Sequence, residues 1–145
     1  MKSYKNIMLV EDNEPDRFLF EEAVSQIKNV VVQHIAQNGE EALEFLNNFH
    51  ELPDIIFMDI SMPRLNGMEC LAAITGNPKL KDIPVVILTG SLVERTRAHQ
   101  AGAQAYLLKP ATIDMLTQKL RTVIELDYIA NKTTGTGKFY EDLIY

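Results

Sequence analysis

The stretch Ile55-Ile56-Phe57-Met58-Asp59-Ile60-Ser61-Met62-Pro63 decides the fold. Four consecutive apolar residues describe a strand covered on both faces, as in a parallel sheet with helices on each side, and a carboxylate closes the run. Working outward, runs of the same kind occupy residues 7–10, 30–35, 85–88 and 105–108. Amphipathic stretches separate them. One spans 15–27, with Leu19, Ala23, Val24 and Ile27 on a common face. The next begins at Asn38, which stands with Glu41 at the spacing of a capping box. A third starts just after Gly67 and stops before Gly76-Asn77-Pro78; a fourth covers 93–101 and stops at Gly102; a fifth covers 112–128. Five β–α units in succession predict an α/β, doubly wound parallel sheet with right-handed crossovers.

Composition narrows the function. The chain has 145 residues, enough for one domain with a proper core, and a formal net charge of −6. That acidic balance argues against a general binder of nucleic-acid backbones, which needs a basic stripe, so no direct nucleic-acid partner is expected. The apolar run at 7–10 is too short for a leader or a membrane span. A single cysteine, Cys70, excludes an internal disulfide, and a cytoplasmic setting is expected. Cys70, the three histidines (His34, His50, His99) and the methionines read as structural or surface residues.

Distinctive polar residues stand at the ends of four of the five strands: Glu11 and Asp12 after the first, Asp59 after the third, Thr89 at the fourth and Lys109 after the fifth. In an open α/β sheet the carboxyl ends of the strands form the ligand crevice, so topology alone brings these residues together. The strand at 30–35 lacks such a residue and is expected at an edge. Three crowded carboxylates require a cation, and hard oxygen donors beside a phosphate favour Mg²⁺, with Mn²⁺ able to substitute. Lys109 supplies a fixed positive charge and Thr89 a hydroxyl donor. Such parts suit in-line phosphoryl transfer to a carboxylate, which is mostly positioning and electrostatics.

Val10-Glu11-Asp12-Asn13, Phe57-Met58-Asp59-Ile60-Ser61-Met62-Pro63 with Gly67, Leu88-Thr89 and Tyr106-Leu107-Leu108-Lys109-Pro110 together resemble the motif set of the response-regulator receiver family of two-component signalling. The resemblance covers about residues 5–128. It implies a flavodoxin-like, five-stranded sheet in the order 2-1-3-4-5 with five helices. It also implies that Asp59 accepts a phosphoryl group from a sensor histidine kinase or histidine phosphotransfer protein. By the same resemblance Asp12, Asp59, the Ser61 backbone carbonyl and, through a water, Glu11 hold the metal. Thr89 is then the switch hydroxyl, Lys109 contacts the phosphoryl group, Tyr106 changes rotamer between states, and the bond before Pro110 is cis.

Some features depart from that pattern. Thr89 and Lys109 are a couple of residues closer than the family usually has them, which places a shortening in the fourth β–α unit and puts conventional dimerisation in doubt. The oligomeric state stays open. Gly90 stands where alanine is common, and Ser61 and Ser91 fall at positions flanking the phosphoryl group. Residues 1–130 are read as the receiver and 131–145 as a tail, flexible or docked. Its Gly135-Thr136-Gly137-Lys138 lacks the first glycine of a phosphate loop. The expectation is a stand-alone receiver that switches a partner-binding surface, dephosphorylates itself slowly and turns over no external substrate. Two alternatives remain. A phosphatase of the haloacid dehalogenase type wants a second Asp where Ser61 stands, and a constitutive interaction module would have no use for the intact site.

Overall fold

The computed structural model describes residues 5–48, 51–61, 66–126 and 139–145. The strands are β1 (Lys5–Val10), β2 (Val30–Ala36), β3 (Ile55–Met58), β4 (Val85–Thr89), β5 (Ala105–Leu108) and β6 (Tyr140–Asp142). The helices are α1 (Glu14–Ser25), α2 (Gly39–Asn48), α3 (Gly67–Thr75), α4 (Arg95–Gln100) and α5 (Ile113–Glu125). All strands are parallel and run in the order β2-β1-β3-β4-β5-β6. The expected 2-1-3-4-5 core is present, and β2 is an edge.

The apolar runs form central strands because each face has a helical cover. One core layer joins Met8, Val10, Met58 and Ile87 to Leu46, Leu71 and Ile74 of α2 and α3. The other joins Ile7, Leu9, Phe57 and Val86 to Phe20 of α1 and Leu120 and Val123 of α5. Alternate residues of one strand thus feed opposite layers. Cys70 is fully buried in the first layer, and burial pushes its thiol up to about 12, as suits a structural residue.

Local chemistry explains the helix starts. Asn13 caps α1, its Oδ1 accepting from the Asp16 N–H at 2.9 Å, with Pro15 in the first turn. At α2 Asn38 Oδ1 accepts from the Glu41 N–H at 2.9 Å, while Glu41 reaches back to the Gln37 N–H rather than to Asn38's. A complete capping box, unforeseen in the sequence, joins Asn66 and Glu69 at α3. The chain leaves α4 through Gly102 at φ +102°.

Three expectations are corrected. The fourth helix, expected over 93–101, covers only Arg95–Gln100, six residues. The Lys109–Pro110 bond, expected cis, is trans, and no cis bond occurs among the described residues; trans is the intrinsically favoured isomer. The sheet has a sixth strand among the described residues, because β6 pairs with the edge of β5. An open β5 edge would leave a row of backbone donors and acceptors without partners, which a parallel terminal strand satisfies. His50, Met62, Pro63 and Gly135-Thr136-Gly137-Lys138 lie outside the described residues. No helix among the described residues is long and apolar enough to cross a membrane.

Candidate functional site

Three of the site residues are fastened by their own backbone to the strand beside them. The Glu11 N–H donates to Ala36 O at 2.9 Å, the Asp59 N–H to Val10 O at 3.0 Å, and the Lys109 N–H to Thr89 O at 2.9 Å. The sheet's hydrogen-bond ladder therefore continues one residue beyond β1, β3 and β5 and sets these side chains side by side at the carboxyl edge. Gly67 makes this possible from the other side. The start of α3 lies so close to the end of β3 that a β-carbon there would meet Ile60 Cα and the Asp59 carbonyl oxygen.

Lys109 is the electrostatic hub. Its Nζ lies 2.7 Å from Glu11 Oε1, 2.7 Å from Asp16 Oδ2 and 2.8 Å from Asp59 Oδ2. An ammonium has three donors, and each meets one carboxylate. Burial by itself would lower the lysine; its hydrogen bonds to Asp16, Asp59 and Glu11 outweigh that and hold it above the ordinary lysine value, so it stays charged. Glu11 behaves differently. Burial, reinforced by the neighbouring Asp59 charge and only partly offset by Lys109, raises its carboxyl from 4.5 to about 7. The two shifts are compatible: desolvation dominates at Glu11, whereas three acceptors act on Lys109.

Around this hub lies an open cavity of about 480 Å³ lined by Asp12, Asn13, Asp16, Asp59, Ser61, Thr89, Gly90, Ser91 and Lys109. Glu11, Asp59 and Thr89 are buried beneath it and Asp12 is exposed at the rim. The Ser61 N–H donates to Asp59 Oδ1 at 3.0 Å, so the two carboxylate oxygens of Asp59 have separate partners. Glu11, Asp12 and Asp59 each offer an oxygen, all within 4.8 Å of one another. Three hard donors with an excess of negative charge fit a small divalent cation. Lys109 already serves two of those carboxylates and Asp16, so its single charge leaves the cluster acidic.

Tyr106 sits in β5, fully buried, and its hydroxyl donates to the Ser91 carbonyl. It stands beside the cavity wall rather than in it. Burial, with the Glu94 charge next, holds the phenol above its usual value. All seven residues singled out in the sequence, including Ser61, thus converge on one edge. Asp16 was missed. It lies in the first turn of α1, directly after the loop carrying Glu11 and Asp12, so it faces the same crevice. An acid one helical turn past a strand-end acidic pair was the signal available.

A family model described as response regulator receiver domain matches residues 7–121. Polar-differentiation response regulator DivK of Brucella ovis is 29% identical over 122 residues, covering 83% of this chain and 96% of DivK. Among solved structures, that of the phosphorylated cyanobacterial phytochrome response regulator RcpA superposes with a TM-score of 0.74 at 32% identity. It covers 84% of this chain and 92% of RcpA. The Mn²⁺-bound form of response regulator Rcp1 gives 0.70 at 29% identity, covering 82% and 91%.

Proposed function

Because the chain belongs to the response regulator receiver domain family, we propose that it is a phosphoacceptor that carries a phosphoryl group on Asp59. The observation that carries this reading is the Asp59 carboxylate held between the Lys109 ammonium at 2.8 Å and the Ser61 N–H at 3.0 Å, on the floor of an open polar cavity. One oxygen of Asp59 attacks phosphorus, the P–N bond of a phosphohistidine donor breaks, and the departing imidazole nitrogen takes up a proton. The donor is a sensor histidine kinase or a histidine phosphotransfer protein, met in the cytoplasm. Lys109 and the Thr89 hydroxyl then hold the phosphoryl oxygens.

Asp12, Asp59 and the Ser61 carbonyl would hold Mg²⁺, or Mn²⁺ in its place, with Glu11 contributing through a water. When bound, the cation neutralises charge on the transferring group. The new adduct adds a charge of about −1.5 to −2 beside Lys109. Lys109 has only three donors and all three meet carboxylates, so a phosphoryl oxygen must displace one. That exchange, with the inward pull on Thr89, biases the loop at 89–91 and the Tyr106 side chain between two arrangements and alters a partner-binding surface. The adduct is lost by slow self-dephosphorylation, with no turnover of an external substrate.

The test is incubation with Mg²⁺ and acetyl phosphate, followed by a search for an acid-stable, hydroxylamine-labile adduct. Wild type should form it and Asp59→Asn should not. An adduct undiminished in Asp59→Asn, or none in the wild type, overturns the proposal. The second of these outcomes would favour a constitutive interaction module.

A further inference from the structure

The end of the chain is built into the face between α4 and α5. β6 lies on the free edge of β5, with Tyr106 opposite Glu141 and Leu107 opposite Asp142. The Tyr140 N–H donates to Gln104 O at 3.1 Å. Its side chains alternate as a strand requires. Toward α4, the Phe139 ring stacks on His99 at 4.2 Å and Glu141 pairs with Arg95 at 3.3 Å. Toward α5, Asp142 lies 3.4 Å from the Lys119 ammonium, which also donates to Leu108 O at 2.9 Å and to the Ile144 carbonyl. Lys119 is buried under this segment.

The segment also touches the phosphoacceptor loop. The Tyr145 hydroxyl donates to Gly90 O at 3.2 Å, one residue beyond Thr89, and the Tyr106 hydroxyl donates to the next carbonyl, Ser91. Both hold the 89–91 loop from the β5–β6 side, and that loop lines the cavity above Asp59. The attachment is light. β6 pairs over three residues, the Arg95–Glu141 pair is substantially exposed, and Ile144 and Tyr145 are mostly in solvent. Short edge elements of this kind open far more easily than a core strand. When the segment leaves, Lys119 keeps its bond to Leu108 O, and water takes the places of Asp142 and the Ile144 carbonyl.

We infer that residues 139–145 form a strap that closes the β5 edge while Asp59 is unmodified and leaves it when the 89–91 loop moves toward a phosphoryl group. The edge so uncovered takes an extended segment of a downstream protein by parallel strand addition, with apolar side chains beside acids that meet Arg95 and Lys119. The strap's own Phe139-Tyr140-Glu141-Asp142-Leu143 is the template for that chemistry. The inference rests on the phosphoacceptor reading above.

Amide hydrogen exchange on the full chain, with and without Mg²⁺ and beryllofluoride, tests it. Amides of 140–144 should exchange at least roughly ten-fold faster with beryllofluoride, while β1 and β3 stay protected. Unchanged protection at 140–144 with a clear response at 89–91 overturns the strap and spares the phosphoacceptor reading. No response at either place overturns both. Tyr145→Phe should loosen 140–144 before beryllofluoride is added and shrink the response to it; a variant identical to wild type removes the link to Gly90. Protection that rises with protein concentration would assign the strand to a second copy and overturn an intramolecular strap. A labelled peptide of residues 139–145 should bind the beryllofluoride form at least about ten-fold more tightly, and equal binding to both forms contradicts an uncovered edge.

Discussion

Gly67→Ala perturbs the point where α3 presses on the end of β3. A methyl group there would lie 2.5 Å from the Asp59 carbonyl oxygen and closer still to Ile60 Cα, whereas real β-carbons essentially never come within 3.0 Å of such atoms. The obstacles are backbone, so no rotamer change relieves them, and helix and strand must part by about 0.7 Å or more. Overpacking costs about 1–3 kcal/mol, and a backbone clash belongs at the upper end, near ~3 kcal/mol. For a domain of this size that lowers Tm by roughly 6–12 °C. The same displacement moves Asp59 relative to Lys109, so phosphorylation by acetyl phosphate should slow by about ten-fold or more. Circular-dichroism melts and initial rates of adduct formation measure the two effects. Gly90→Ala is the control: a β-carbon there meets nothing within 4 Å, so its stability should stay within about 0.5 kcal/mol of wild type. A Gly67→Ala protein melting within about 2 °C of wild type would refute the steric argument.

The buried Glu11 carboxyl gives a pH signature. Its folded value, about 7, exceeds its ordinary 4.5, so the folded state binds the proton more tightly than the unfolded chain. The resulting stability is complete below about 4.5 and is lost as pH rises toward about 7. In EDTA, wild type should therefore lose stability across that window relative to Glu11→Gln; parallel pH profiles for the two proteins would contradict the assignment. Gly102→Ala combines a φ of +102° with a contact of 2.8 Å to Thr75 Cγ2, and should cost about 1–3 kcal/mol in urea denaturation. No measurable loss would show that the turn after α4 relaxes freely.

Much of the site is legible in the amino-acid sequence. Runs such as 7–10 and 55–58 are apolar at every position because both faces of a central parallel strand are covered. Once they are placed as strands, the sheet must bring Glu11, Asp12, Asp59, Thr89 and Lys109 to one edge. The local signals at Asn38 and Gly102 also act through neighbours in sequence. What the sequence left open depends on long-range geometry. Asp16 pairs with Lys109 across 93 positions, a partnership that only the packing of α1 against the end of β5 establishes.

The clearest division falls at the two ends of the sheet. Asp59 and its acidic setting were determined by the sequence itself, since strand-end position follows from the apolar run that precedes it. The place of residues 139–145 was decided by the tertiary structure. Whether a short apolar–acidic tail docks depends on a sheet edge with open backbone groups, on a short α4 presenting Arg95 and His99, and on Lys119 facing the same slot. None of those conditions is local to the tail. They exist only once five strands have assembled and left β5 without a neighbour.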